Sequence, residues 1–167
     1  MSSVSESDDE LIRKAVENIK NKDEQYALKM QTQADRIGFL KAHAVPFFAD
    51  FTQALKSLLN ELSDHLNDLA SGKAPIRIIS NTPNLMTVSK DEEPFLSFTA
   101  SLNTAGLFIH CSLVRGEPTR QTTTIDETVD YKLDIDSDHN FLVIDPQKRK
   151  YFSSGSELAR FYFARMF

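Results

Sequence analysis

The side chains best suited to nucleophilic or acid–base chemistry are Cys111, the only cysteine, and His43, His65, His110 and His139. A thiolate beside an imidazole can attack a carbonyl, and histidine titrates near neutral pH. Neighbouring strand residues point to opposite faces, so His110 and Cys111 cannot be partners in a regular strand. Cys111 falls on the apolar face of its segment, where a thiol behaves as a small hydrophobe. His110 falls with Ser97, Thr99 and Ser112 on a polar face, either as an acid–base group or as a surface residue. His65 borders an apolar helical stripe. No two histidines stand four apart as a helix-borne metal site requires, and five glycines make no phosphate-cradling loop. No catalytic residue is assigned, and His110 is kept as a candidate binding residue.

Two other constellations yield to plainer readings. Asp134, Asp136, Asp138 and Asp145 match positions 1, 3, 5 and 12 of a calcium loop. His139 takes the sixth place, where glycine makes the turn, and the flanks read as strands. These carboxylates are expected on a wet strand face and its turn, with no metal and no cofactor. Lys148, Arg149, Lys150, Arg160 and Arg165 interleave with Tyr151, Phe152, Phe161 and Phe163, a pattern that can stack and neutralise single-stranded nucleic acid. Three of the five cations share one turn, however, and the two arginines suit the negative end of a helix. The formal net charge of −5 also runs against a phosphate backbone as partner.

The elements that would position these groups are clear in outline. Pro46–Ala70 repeats Phe48, Phe51, Leu55, Leu58, Leu59, Leu62, Leu66 and Leu69 at steps of three and four, leaving Asp50, Lys56, Asn60, Asp64 and Asp68 for water. Pro46 suits a first helical position and Ser71-Gly72 a stop. Upstream, Ile12, Val16, Ile19, Tyr26, Met30, Ile37, Leu40 and Ala44 follow a four–three spacing. Asp23 and Gln33 interrupt this imperfect coiled-coil seam. The residue before a proline is pushed from the α region, so Val45-Pro46 is expected to interrupt the run, giving a helical hairpin or a strongly kinked pair. The first helix would overhang its partner, and a second copy of the chain is the favoured cover, giving a homodimer.

After Lys73 the period becomes two. Ile76–Ser80, Leu85–Lys90, Phe95–Asn103, Leu107–Arg115, Thr122–Ile125 with Val129–Ile135 (one strand or a pair), Phe141–Asp145 and Lys150–Phe152 read as short strands joined by turns. Leu96, Phe98, Ala100 and Leu102 share one face; so do Ile109, Cys111 and Leu113, and Val129, Tyr131, Leu133 and Ile135. Ser154-Gly155-Ser156-Glu157 fits a capping box, Ser at the cap and Glu three residues on. The helix it opens carries Leu158, Phe161, Tyr162, Phe163, Met166 and Phe167, more apolar circumference than a helix lying on a sheet needs.

The expected architecture is α+β. A helical hairpin with its long central helix at 46–70 packs on an antiparallel meander of about six strands, closed by a short C-terminal helix. Residues 1–7 form a disordered acidic head and 8–167 a single domain: 8–72 helical, 73–153 sheet, 154–167 the closing helix. The first ten residues lack the basic and apolar regions of a signal peptide, and no apolar run spans a membrane, so a cytoplasmic protein is expected. The leading functional reading is a small acidic, non-enzymatic binding, adaptor or chaperone-like protein. It would present an apolar groove near Phe161, Tyr162, Phe163 and Phe167 to a polypeptide partner. The alternative is a ligand-binding or enzymatic domain with a pocket between a curved sheet and the helices, containing His110 or Tyr131.

Overall fold

A computed structural model describes residues 8–69, 76–90, 95–116 and 124–167, with the side chains at 67–69, 80–81 and 124–125 outside that description. The expected acidic head, the Ser71-Gly72 stop and Thr122–Thr123 lie outside the described residues. The chain divides into two compact units, Met1–Phe39 and Leu40–Phe167.

One helix, α1, runs from Asp8 to Leu69 and holds Pro46 in its interior. The expected hairpin is therefore corrected: Val45-Pro46 does not break the run. Proline in a helix interior removes one hydrogen bond and crowds the carbonyl four residues back, a cost of about 3 kcal/mol. That carbonyl belongs to Ala42, which is solvent-exposed, so water can serve it. Against that cost stand side chains on both sides of the proline that the sheet buries: Leu40, Ala44, Phe47, Phe48, Phe51, Leu55 and Leu59. Burying one large apolar side chain contributes about 1.5–3 kcal/mol, so a few of these outweigh the proline.

Among the described residues seven strands follow: β1 (Arg77–Thr82), β2 (Leu85–Lys90), β3 (Leu96–Asn103), β4 (Phe108–Gly116), β5 (Thr124–Ile135), β6 (Phe141–Asp145) and β7 (Lys150–Phe152). They form one antiparallel meander, each strand beside its sequence neighbours. The α+β class stands as expected, with seven strands where about six were counted and β5 as a single strand. Parity also holds. Phe98, Ala100, Ile109, Cys111, Leu113, Tyr131 and Leu133 are buried on the inner face, and Val129 and Ile135 pack against that core. The first hairpin turns on Pro83-Asn84 alone, with Thr82 opposite Leu85, and β1 bulges between Ile78 and Ser80, leaving Ile79 exposed.

The closing helix α2 spans Gly155–Met166. Ser154 Oγ accepts from the Glu157 amide at 3.2 Å, and Glu157 Oε2 accepts from the Ser153 amide at 2.9 Å, one residue before the cap. The Ser153 amide, with its hydroxyl at 3.1 Å, holds the Glu157 carboxyl below the ordinary carboxylate range. A third acceptor comes from α1. Asp50, expected to face water, accepts from the Ser156 amide at 2.8 Å and from its hydroxyl at 2.9 Å. A free amide at a helix N-terminus welcomes such an oxygen. Gly155 brings the two backbones together: a Cβ there would sit 2.3 Å from the Phe47 carbonyl oxygen and 2.3 Å from the Phe51 nitrogen.

Two substitutions probe this account. Pro46→Ala restores the missing helical bond and should stabilise the Leu40–Phe167 unit by about 1–3 kcal/mol in urea unfolding; an unchanged or lower midpoint would contradict it. Gly155→Ala drives a methyl into α1 backbone and should destabilise by about 1–3 kcal/mol, read as a Tm lowered by several degrees.

Candidate functional site

His110 stands on the outer face of β4, opposite Ser101 of β3 and Asp130 of β5. Its Nδ1 lies 2.5 Å from Asp130 Oδ1, and the two side chains are 38% and 63% exposed. Ser101, His110 and Asp130 thus share one register across three strands, the residue order of a nucleophile, base and orienting acid. Among the described residues no hydrogen bond joins Ser101 to the imidazole. Acyl transfer also needs amide donors for an oxyanion and shelter from water. Here the backbone amides of the central strands are spent on the ladder, and the face is open. A shallow concavity of about 280 Å³ adjoins Asp130, lined by Thr128, Val129, Asp145, Pro146 and Gln147. Tyr131, the other residue expected of a pocket, faces the opposite side of the sheet and is 1% exposed.

The remaining histidines are apart. His43 stacks on Phe141 with ring centroids 6.0 Å apart, and His65 and His139 are exposed. Two of the four acids of the calcium pattern serve their own turns. Asp136 Oδ1 accepts from the amides of Asp138 (2.9 Å) and Asn140 (2.8 Å), and Asp145 Oδ1 from those of Gln147 (2.9 Å) and Lys148 (3.2 Å). The Asn140 bonds lead in holding the Asp136 carboxyl below its ordinary range. Among the described residues, no group of three acids, histidines or cysteines could hold a metal ion.

The aromatic residues of α2 divide. Tyr162 is buried, its ring tilted against Phe98 with centroids 4.8 Å apart, and its hydroxyl lies 2.8 Å from that of Tyr131. Phe161 packs on Phe152 and lies under the Lys150 ammonium, 4.1 Å from the ring centroid, with the Arg165 guanidinium 5.4 Å away. Arg165 also forms a two-point pair with Glu127, Nε to Oε2 at 2.8 Å. Two of the five cations of the nucleic-acid pattern are thereby engaged within the protein. Phe163 is half-buried and packs on Phe167, which is 54% exposed. The surface part of the expected patch is therefore Phe161, Phe163 and Phe167.

Residues 8–37 of α1 offer the larger apolar surface. Acidic residues Asp8, Asp9 and Glu10 complement the dipole of the first turn, and Glu10–Lys14 (3.8 Å) and Lys20–Glu24 (3.9 Å) are exposed pairs one turn apart. Ile12, Val16, Ile19 and Tyr26 are each 60–66% exposed, and Met30 is 48% exposed. The same spacing continues in sequence into Leu40, Ala44, Phe47 and Phe51, all buried. A concavity of about 620 Å³, wide open, lies along Gln25, Leu28, Lys29, Thr32, Gln33 and Arg36. Among the described residues no helix is long and apolar enough to cross a membrane.

One buried polar node escaped sequence reasoning. Parity put Cys111 and Tyr131 on the inner face, but nothing linked them to Tyr162, whose hydroxyl reaches both. Burial pushes the Cys111 thiol from its ordinary 9.0 up to about 12, and raises both phenols above their usual value. All three groups are held neutral in the fold, so their contribution is complete below the unfolded pKa values and is lost as pH rises through the folded ones. Tm should therefore fall from about pH 9 upward. Cys111→Ala should delay that fall to about pH 10, where tyrosine takes over; a Tm flat to pH 11 would contradict this. Compared with protein-family models, curated proteins and solved structures, the chain has no match.

Proposed function

We propose that this chain is a non-enzymatic binding protein, an adaptor or chaperone-like module that engages a polypeptide through the apolar seam of Ile12–Ile37. The observation that carries this reading is a stripe of one spacing with two fates: its apolar residues are exposed from Ile12 to Met30, half-buried at Ile37, and buried at Leu40, Ala44, Phe47 and Phe51. An isolated helix in water is marginal even when its sequence favours helix, and most helical stability comes from packing an apolar face. A seam with apolar residues at two places per heptad has the width that suits another helix. The covering helix comes from a second copy of the chain or from another polypeptide. Phe161, Phe163 and Phe167 supply a smaller second contact. A reducing cytoplasm suits the free thiol of Cys111.

The test is amide exchange on the full chain, dilute, concentrated and mixed with designed amphipathic helices. Protection of residues 12–37 under either of the last two conditions supports the reading. Ile19→Ser with Tyr26→Ser should abolish that protection, while the Leu40–Phe167 unit keeps its stability to within about 0.5 kcal/mol, as expected for exposed sites. Fast exchange across 12–37 in every mixture would refute it.

A further inference from the structure

The places beside the seam carry a charge pattern that its apolar content does not require. Val16, Asp23, Met30 and Ile37 form one seam position of the heptad, and Ile12, Ile19, Tyr26 and Gln33 the other. The residues just before the first set are Ala15, Lys22, Lys29 and Arg36. Those just after the second are Arg13, Lys20, Ala27 and Ala34. Every charged residue flanking the seam is thus a cation. The acids between Ile12 and Ile37 stand elsewhere, Glu17, Glu24 and Asp35 away from the seam and Asp23 within it. Lys20 does meet Glu24, but as a pair one turn apart at 3.9 Å with side chains 75% and 66% exposed, which a partner's carboxylate can displace.

In a two-stranded coiled coil these flanking positions of one helix face those of the other and set partner choice. A second copy fits badly in either orientation. Parallel copies place Asp23 against Asp23 inside the seam. Antiparallel copies that set Tyr26 against Met30 and Ile19 against Ile37 bring Lys22 near Arg36 and Lys29 near Lys29. An anionic membrane surface fits badly too, because Asp23 and Gln33 interrupt the stripe and alanines narrow it, whereas interfacial helices need a broad apolar face. The charge pattern selects carboxylates at matching spacing.

Resting on the coiled-coil reading above, we infer that the seam docks an acidic amphipathic helix of a different polypeptide. Its flanking Glu or Asp residues meet Arg13, Lys20, Lys22 and Lys29, and a lysine or asparagine of its own seam meets Asp23.

The experiment titrates the full chain into three labelled four-heptad peptides with one Leu/Ile seam and with Glu, Gln or Lys at the flanking places, followed by anisotropy. The Glu peptide should bind at least about tenfold more tightly than the Gln peptide, about 1.4 kcal/mol, and the Lys peptide weakest. Raising salt from about 0.05 to about 0.5 M should close the gap, since exposed pairs are screened. Lys22→Gln with Lys29→Gln should shrink the preference without altering the Tm. Equal binding of the Glu and Gln peptides would overturn the acidic partner while leaving helix docking intact. Self-association tighter than any peptide binding would also overturn it, in favour of a second copy. Capture by anionic vesicles in preference to the Glu peptide would assign the seam to a lipid surface instead. A chain that stays monomeric and binds no peptide would overturn both this inference and the binding reading beneath it.

Discussion

The close seating of α2 on α1 is the constraint around which the folded unit is arranged. At Gly155 the approach excludes even a methyl group, and Asp50 on the facing turn of α1 ties the amide and hydroxyl of Ser156. From that junction aromatic contacts run through the interior: Phe48 to Phe51, Phe51 to Phe98, Phe98 to Tyr162, Tyr162 to Tyr131, Tyr131 to Phe152 and Phe152 to Phe161, with ring centroids 4.8–6.4 Å apart. Twelve phenylalanines and no tryptophan suit such a role, because most of these rings need no hydrogen-bond partner. The two tyrosines in the series answer each other's hydroxyls. Large rings in tilted and edge contacts leave little freedom to either layer, so helix and sheet hold one another in a single arrangement.

Strand parity was the most legible part of this fold. Alternation in Leu96–Asn103 and Phe108–Arg115 assigned each residue its face, because a one-residue slip would turn the whole apolar set outward. The cap at Ser154 was legible for a similar reason, since a serine and a glutamate at that spacing satisfy orphan amides locally. Pro46 was misread because its cost is local while its compensation is not: the rings that keep α1 helical through it bury themselves on strands far along the chain. Asp50 was misread in the same way. Its partner is Ser156, and no pattern within one helix points to a hydroxyl 106 positions away.

The candidate site shows the same division. Exposure of the Ile12–Ile37 seam could be anticipated from its length, because a stripe can be covered only as far as its own sheet extends. The fate of the α2 aromatics could not. Excess apolar circumference said that some of them must surface, yet which ones depended on where Tyr131 stood to receive Tyr162. The Ser101–His110–Asp130 line was visible only after pairing registers were known. Its flat, wet setting separates residue order from a working constellation, since geometry without preorganised donors stabilises no transition state.

The meander has a consequence for how the chain assembles during synthesis. Each strand's neighbours in space are also its neighbours in sequence, so the sheet can zip up one hairpin at a time with short loops to close. α1 has no such local partner. Its phenylalanine-rich turns leave the ribosome before any strand that will cover them, and Gly155 reaches its seat on them only after the strands. For that interval Phe47, Phe48 and Phe51 are a sticky surface on a nascent chain, the kind of transient exposure that chaperones shield and that otherwise seeds aggregation.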